Sequence, residues 1–236
     1  MSIFSRFFGR QDADDLAGGQ LVAKPDIKRP LSLQVLFPDA CWLDTDRLIE
    51  ALRSYHRSMS AAQCEIDQDL IQEGKVLGMV GWEKHVIQLV GFDVPYPAAA
   101  CEACVAPAHY PQELKQRARS HKAHVILYYA GQESSPFEQL VALAATAGAL
   151  ARLGAIVILN ESGHTSFPAA ALSGLDSESD IMDLLRVLPL LIFYCGFVKL
   201  EVEGTLEYGC AHMARRCWDC PTSRLTQQDM KKGSDT

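Results

Sequence analysis

Long uninterrupted apolar runs are missing from this sequence. The most hydrophobic segment, Leu184 to Leu200, is broken by Arg186, Pro189 and Lys199, and the stretch from Val187 to Val198 is too short to cross a bilayer as a helix. A buried element fits it, and no membrane span is expected. A secretory leader is not visible either, because Ser5 and Arg6 interrupt Ile3, Phe4, Phe7 and Phe8 before an apolar core of a signal can form. Positive charge is scarce: 22 Lys and Arg stand against 29 Asp and Glu, a formal net charge of −7. A nucleic-acid binder shows a concentrated basic footprint, so none is expected as a partner. The chain contains no Gly-x4-Gly-Lys-Ser/Thr, no Gly-x-Gly-x-x-Gly, no Gly-x-Ser-x-Gly and no His-Glu-x-x-His. Phosphate-loop, dinucleotide, hydrolase-elbow and zincin chemistries therefore lack their signatures.

What is present is ordinary globular material. Hydrophobic residues make up 48% of 236 residues and charged residues 22%, enough for one sizeable core. Eight cysteines without an export signal point to reduced thiols and a cytoplasmic location. Residues 1–30 read as a tail and linker, since Arg10 to Gln20 lacks apolar periodicity and Pro25 and Pro30 precede the first ordered run. The four apolar residues of the first turn are sticky but too few to hold a helix alone.

From Leu31 the pattern becomes structured. Leu31 to Phe37 reads as a strand, and Asp44 or Thr45 caps a helix with Leu48, Ile49, Leu52 and Tyr55 on one face. Ala62 to Asp67 is a short strand, and Val76–Gly81 with His85–Phe92 reads as a hairpin. Pro95 and Pro97 end that hairpin and lead into a small-residue helix from Ala98 to Val105; Tyr110-Pro111 opens another that ends near His121. Ala123 to Ala130 is a strand rich in β-branched and aromatic residues. Ser135-Pro-Phe-Glu138 is a capping box with Pro at the first helical position, and Gly154 ends the long apolar helix that follows.

Ala155 to Asn160 is a buried strand, Ser166-Phe-Pro168 starts a short helix, Asp176 to Leu188 forms another, and Leu190 to Val202 returns as a long strand. The alternation of strands and helices after residue 123 implies crossovers and partly parallel pairing. The expected fold is α+β with an α/β-like second half: a mixed sheet of six or seven strands, helices packed against it, in a single domain over 31–204.

Four segments carry a family resemblance: Cys104-Val-Ala-Pro-Ala-His-Tyr-Pro111, His121-Lys-Ala-His-Val-Ile-Leu-Tyr-Tyr-Ala-Gly131, Ile158-Leu-Asn-Glu-Ser-Gly-His-Thr-Ser166 and Leu191-Ile-Phe-Tyr-Cys-Gly-Phe-Val-Lys-Leu-Glu-Val-Glu-Gly204. In these the chain resembles the bacterial domain-of-unknown-function family numbered 4261, over roughly three-quarters of its length and in the same order. The resemblance implies a cytoplasmic bacterial α/β domain with no activity assigned.

After Gly204 the resemblance stops and residues 205–236 read as an irregular tail without a 2.0 or 3.6 period. Back-translated with GC-rich codons and read in the alternative frame, Glu207 to Ser223 becomes Val-Trp-Val-Arg-Thr-Tyr-Gly-Ala-Pro-Val-Leu-Gly-Leu-Pro-Asp-Leu-Ala, which is similar to the family's usual ending. A frameshift near residues 204–207 is the hypothesis this raises.

Two Cys-x-x-Cys pairs, Cys101/Cys104 and Cys217/Cys220, have the spacing of zinc ligands, with Cys210 and His212 nearby. No turn residue separates either pair, and Cys101 and Cys104 one helical turn apart read better as small hydrophobes. A thioredoxin-type role also fails, because the first pair follows a Pro-Ala loop rather than a strand. No metal and no cofactor is expected. Lys115, Arg117, Arg119, His121 and Lys122 read as a solvated helix face, and His85 as a satisfied core group.

The polar segment Asn160-Glu-Ser-Gly-His-Thr165 follows a buried strand, a place where α/β proteins build sites. Glu161 and His164 there, with His109 and Tyr110 at another helix entrance, are the candidate surface. The local alternative has Asn160 and Ser162 satisfying turn amides and Thr165 or Ser166 capping a helix. The expected function is a non-catalytic protein-binding or regulatory domain, adaptor or immunity-like, with a protein partner. The alternative is a hydrolase using Glu161, His164 and His109. Nothing in the sequence fixes an oligomeric state.

Overall fold

The computed structural model describes residues 21, 23–24, 30–40, 43–71, 73–173, 181–187, 197–201 and 208–212. The first strand, β1 (Ser32–Phe37), buries five of its six side chains, so it lies inside a sheet rather than at an edge. Asp44 then accepts from the amide of Arg47 and starts α1 (Thr45–Tyr55), whose Leu48, Ala51, Leu52 and Tyr55 form its buried stripe. β2 (Gln63–Ile66), a single turn α2 (Gln68–Ile71), β3 (Lys75–Trp82) and β4 (His85–Phe92) follow. The hairpin turn between β3 and β4 holds Glu83 in the left-handed region at φ 49°.

α3 (Ala98–Val105) and α4 (Gln112–Arg119) precede β5 (Ala123–Tyr129). α5 (Pro136–Arg152) is buried continuously from Leu140 to Leu150, and the one polar side chain there, Thr146, donates its hydroxyl to the Ala142 carbonyl at 3.0 Å. Ser135 caps α5 by accepting from Glu138 N. The reciprocal half of the expected capping box is built differently: the Ser135 amide donates to Glu133 Oε1 at 2.8 Å, while the Glu138 carboxylate accepts from Arg186. β6 (Val157–Asn160), β7 (Thr165–Pro168), α6 (Ala170–Ser173) and α7 (Ile181–Val187) complete the main body. β8 (Phe197–Glu201) and β9 (Tyr208–His212) pair with each other in a separate ribbon.

The main sheet has seven strands in the order β2-β3-β4-β5-β1-β6-β7. The α+β class with helices packed on one sheet is as expected. The parallel pairing is not, since every ladder of the main sheet among the described residues is antiparallel. The reason is specific. β5 and β6, joined across α5, do run in the same direction, but β1 inserts between them and pairs antiparallel with both. This is a split β-α-β unit.

A second correction concerns Ser166-Phe-Pro168. These residues are the edge strand β7 and not a helix start, because Ser166 and Phe167 point to opposite cores and Pro168 closes an edge that needs no further donor. Of the expected helix from Asp176 to Leu188 and strand from Leu190 to Val202, the parts outside 181–187 and 197–201 lie outside the described residues, as do the tail residues 1–20 and 213–236.

α1, α5, α6 and α7 cover one face of the sheet and bury the larger core, which includes Leu33, Leu52, Leu127, Leu143 and Leu150. α3 and α4 cover the opposite face near β1, β5, β6 and β7, where Leu36, Cys104, Val105, Ala118 and Leu159 pack. Each such Leu contributes about 1.5–3 kcal/mol by leaving water. The smaller core seats both the polar loop after β6 and the strap that follows β4.

Candidate functional site

The polar segment after β6 is a tight link between two paired strands. Asn160, buried at the end of β6, accepts from the Gly163 amide at 3.1 Å through Oδ1, which folds Glu161–Gly163 into one 3-10 turn. His164 closes that turn in the left-handed region at φ 47°, its amide bonded to the Glu161 carbonyl, and Thr165 then pairs back with Asn160. The Glu161 amide donates to Oε1 of Gln34, a buried side chain on β1. The loop is therefore tied to the centre of the sheet. This is the local reading for Asn160; the helix cap expected at Thr165 or Ser166 is replaced by strand pairing.

Tyr110 reaches into the same region by another route. Ser166 Oγ donates to the Cys104 carbonyl at 2.8 Å, so its single proton is committed and the Tyr110 hydroxyl is the donor in their 3.0 Å contact. This chain ties the loop before α4 to β7 and to the C-terminal part of α3. Cys104 Sγ in turn donates to the Asn160 carbonyl at 3.8 Å, and Cys101 Sγ to the Ala118 carbonyl at 3.8 Å. Burial, and next the Glu161 carboxylate, push the Cys104 thiol up to about 12; burial and then Glu102 raise Cys101. Neither is a ready thiolate of the kind a thioredoxin-type redox pair uses. Among the described residues no three His, Cys, Asp or Glu side chains gather as metal ligands.

Glu161 itself meets a residue the sequence reading passed over. The Tyr96 hydroxyl donates to Glu161 Oε2 in a short contact, and burial followed by this carboxylate raises the phenol well above its ordinary range. Tyr96 thus stays a neutral donor. It sits on the Asp93–Pro97 strap between β4 and α3. His124 on β5 packs its ring edge-on to Tyr96 at 5.1 Å and tilted against Phe92 at 5.7 Å, while its Nδ1 donates to the Val94 carbonyl at 2.8 Å. His121, just before β5, accepts the Tyr96 amide on Nε2 at 2.6 Å. Phe92 and Val94 are the exposed large hydrophobics among the described residues, at 36% and 55% exposure. The string Phe92–His124–Tyr96–Glu161 thereby joins an exposed apolar side chain to the Glu161 carboxylate.

The candidate residues divide clearly. Asn160 and Tyr110 do positional work inside hydrogen-bond chains. Glu161 is exposed and held by Tyr96, whereas His164 and His109 are exposed, and apart from the backbone bond of the 3-10 turn no hydrogen bond or ion pair links the side chains of Glu161, His164 and His109. The geometry that a base and its partner need is not formed.

The basic stretch is also less solvated than its composition suggests. Lys115 is buried and donates to the Ala106 carbonyl at 2.7 Å, satisfying the C-terminus of α3, and His121 is buried too. Arg119 forks onto Glu102 at 2.7 and 2.8 Å, and Lys122 pairs with Asp39. His85 is a satisfied core group as expected, bonded to the Tyr129 hydroxyl at 3.1 Å. Among the described residues no helix is long and apolar enough to cross a membrane. In comparisons with known proteins, no family model, no curated protein and no solved structure matches the chain.

Proposed function

We propose that this chain is a non-catalytic protein-binding domain, adaptor or immunity-like, acting in the cytoplasm. Its docking surface is the strap and loop: Phe92 and Val94 as apolar anchors, with Glu161 as the charged neighbour. The observation that carries this reading is the exposure of Phe92 and Val94, connected through the His124 and Tyr96 rings to the Glu161 loop. Exposed apolar groups rimmed by polar ones mark docking sites, and a central apolar contact with a charged rim is how such sites gain both affinity and specificity. The hydrolase reading needs the side chains of Glu161, His164 and His109 bonded to one another and has no such side-chain bond to build on.

Quantitative affinity capture from cells that express the chain natively tests the proposal. The comparison is between the wild type, Val94→Asp and a control charge placed on the far edge, Gln132→Asp. A protein retained by the wild type and the control but lost with Val94→Asp supports docking at this surface. Capture indifferent to position 94 overturns it.

A further inference from the structure

Two histidines hold the Asp93–Pro97 strap, and they hold it in different ways. His124 Nδ1 faces the Val94 carbonyl, so that nitrogen carries its proton. His121 is more constrained: Nδ1 lies 2.6 Å from the Ala118 carbonyl and Nε2 lies 2.6 Å from the Tyr96 amide. A carbonyl only accepts and an amide N–H only donates, so His121 must be the neutral tautomer with its proton on Nδ1 and a bare lone pair on Nε2. A second proton would put N–H against N–H at that distance and leave a charge in a site only 4% exposed.

We propose that His121 is an acid-released latch on the strap, beside a His124 clamp on Val94 that protonation leaves intact, so that a proton on His121 frees Tyr96 and remodels the docking surface. The consequence for binding rests on the reading of that surface above; the latch itself does not. Once the Tyr96 amide loses its acceptor, the Tyr96 ring leaves His124 and its hydroxyl leaves Glu161. One proton thus changes both the aromatic packing on His124, beside the apolar anchors, and the hydrogen bonding of the Glu161 carboxylate.

The ionisable groups on the surrounding elements do not oppose this. They are Tyr96 and Asp93 on the strap, Cys101 on α3, Lys115 on α4, Lys122 beside His121 with its partner Asp39, and Glu161 across Tyr96. The charge that acts on either ring is that of His121 on His124, which disfavours protonating both. Burial is the larger cause in each case, and it lowers both rings below the ordinary imidazole value of 6.5. The sign follows: the closed strap is fully favoured above 6.5 and loses that advantage as pH falls through the depressed value.

Amide exchange of the full chain, followed by NMR between pH 7.5 and 5.0 and corrected for intrinsic rates, tests the latch. The opening equilibrium at the Tyr96 amide is expected to rise about tenfold per pH unit below the open-state value. β3 and β4 amides keep their protection, and His121→Gln, whose amide oxygen accepts without titrating, stays flat. If His121→Gln does not fold, the wild type still decides the matter: strap opening must follow the His121 ring titration. A Tyr96 amide that stays protected to pH 5.0, or one that opens only together with β3 and β4, overturns the proposal. Docking is judged separately, at pH 7.5, by its dependence on Val94.

Discussion

Gly148 lies in the buried middle of α5, where helix propensity and packing make opposite demands. Propensity alone favours Gly148→Ala, because alanine is about 1 kcal/mol better than glycine in a helix interior. Packing forbids it. A Cβ at this position would overlap Oη and Cζ of Tyr55, on the facing helix α1. That ring is 5% exposed, its hydroxyl donates to the Leu172 carbonyl at 3.1 Å, and the Arg152 guanidinium lies over its face at 5.1 Å from the centroid. Moving the ring breaks the bond to a buried carbonyl and disturbs the contact with Arg152. Overpacking costs about 1–3 kcal/mol and the lost hydrogen bond about 1 kcal/mol, so the substitution is expected to destabilise by about 1–3 kcal/mol net. Urea unfolding followed by far-UV circular dichroism reads this as a lower midpoint at unchanged slope. In a Tyr55→Leu background the same substitution should become neutral or mildly stabilising, because the obstruction is gone. A midpoint that rises on Gly148→Ala in the wild-type background would refute the packing of α1 on α5 described above.

Other consequences are as direct. Lys84 and then the Ser135 amide hold the Glu133 carboxyl down at about 2. The stability this contributes is present above the ordinary carboxylate value of 4.5 and is lost as pH falls through about 2. Glu133→Gln should therefore lower the urea midpoint modestly at pH 7, because Lys84 is largely exposed, and should converge on the wild type in strong acid. Cys101 and Cys104 should resist Ellman's reagent in the native chain at pH 7.5 and react on adding urea; rapid native labelling of either would contradict their burial. Sequencing the coding DNA across residues 204–223 checks the frameshift, which requires the alternative frame to encode the string beginning Val-Trp-Val-Arg-Thr-Tyr.

What the sequence made legible was mostly local. The Asp44 and Ser135 caps, the β3–β4 hairpin and the buried α5 each depend on residues a few positions apart, and each is present. The crossover through α5 was legible as well, but the insertion of β1 between β5 and β6 was not. Strand partners are chosen by the assembled core, and β1 lies about ninety residues earlier in the chain. β7 was misread because Ser-Phe-Pro fits the start of a helix and the end of an edge strand equally well.

The site follows the same division. Asn160 and its turn were readable, since the amide it satisfies is three residues away. Tyr96 was not, since its carboxylate partner is sixty-five residues away and Pro95 and Pro97 conceal it in an apparent loop. Lys115 and His121 look like members of a solvated basic run until the end of α3 meets the one and the strap meets the other.

Site-specific photo-cross-linking tests docking at the strap most directly. A benzophenone amino acid at position 94 is compared with one at the exposed position 132, each in the full chain in its native cells. Docking predicts one dominant adduct from position 94, joined to a single partner protein, absent from position 132 and lost on Glu161→Lys. No adduct at position 94, or the same diffuse adducts from both positions, would contradict it.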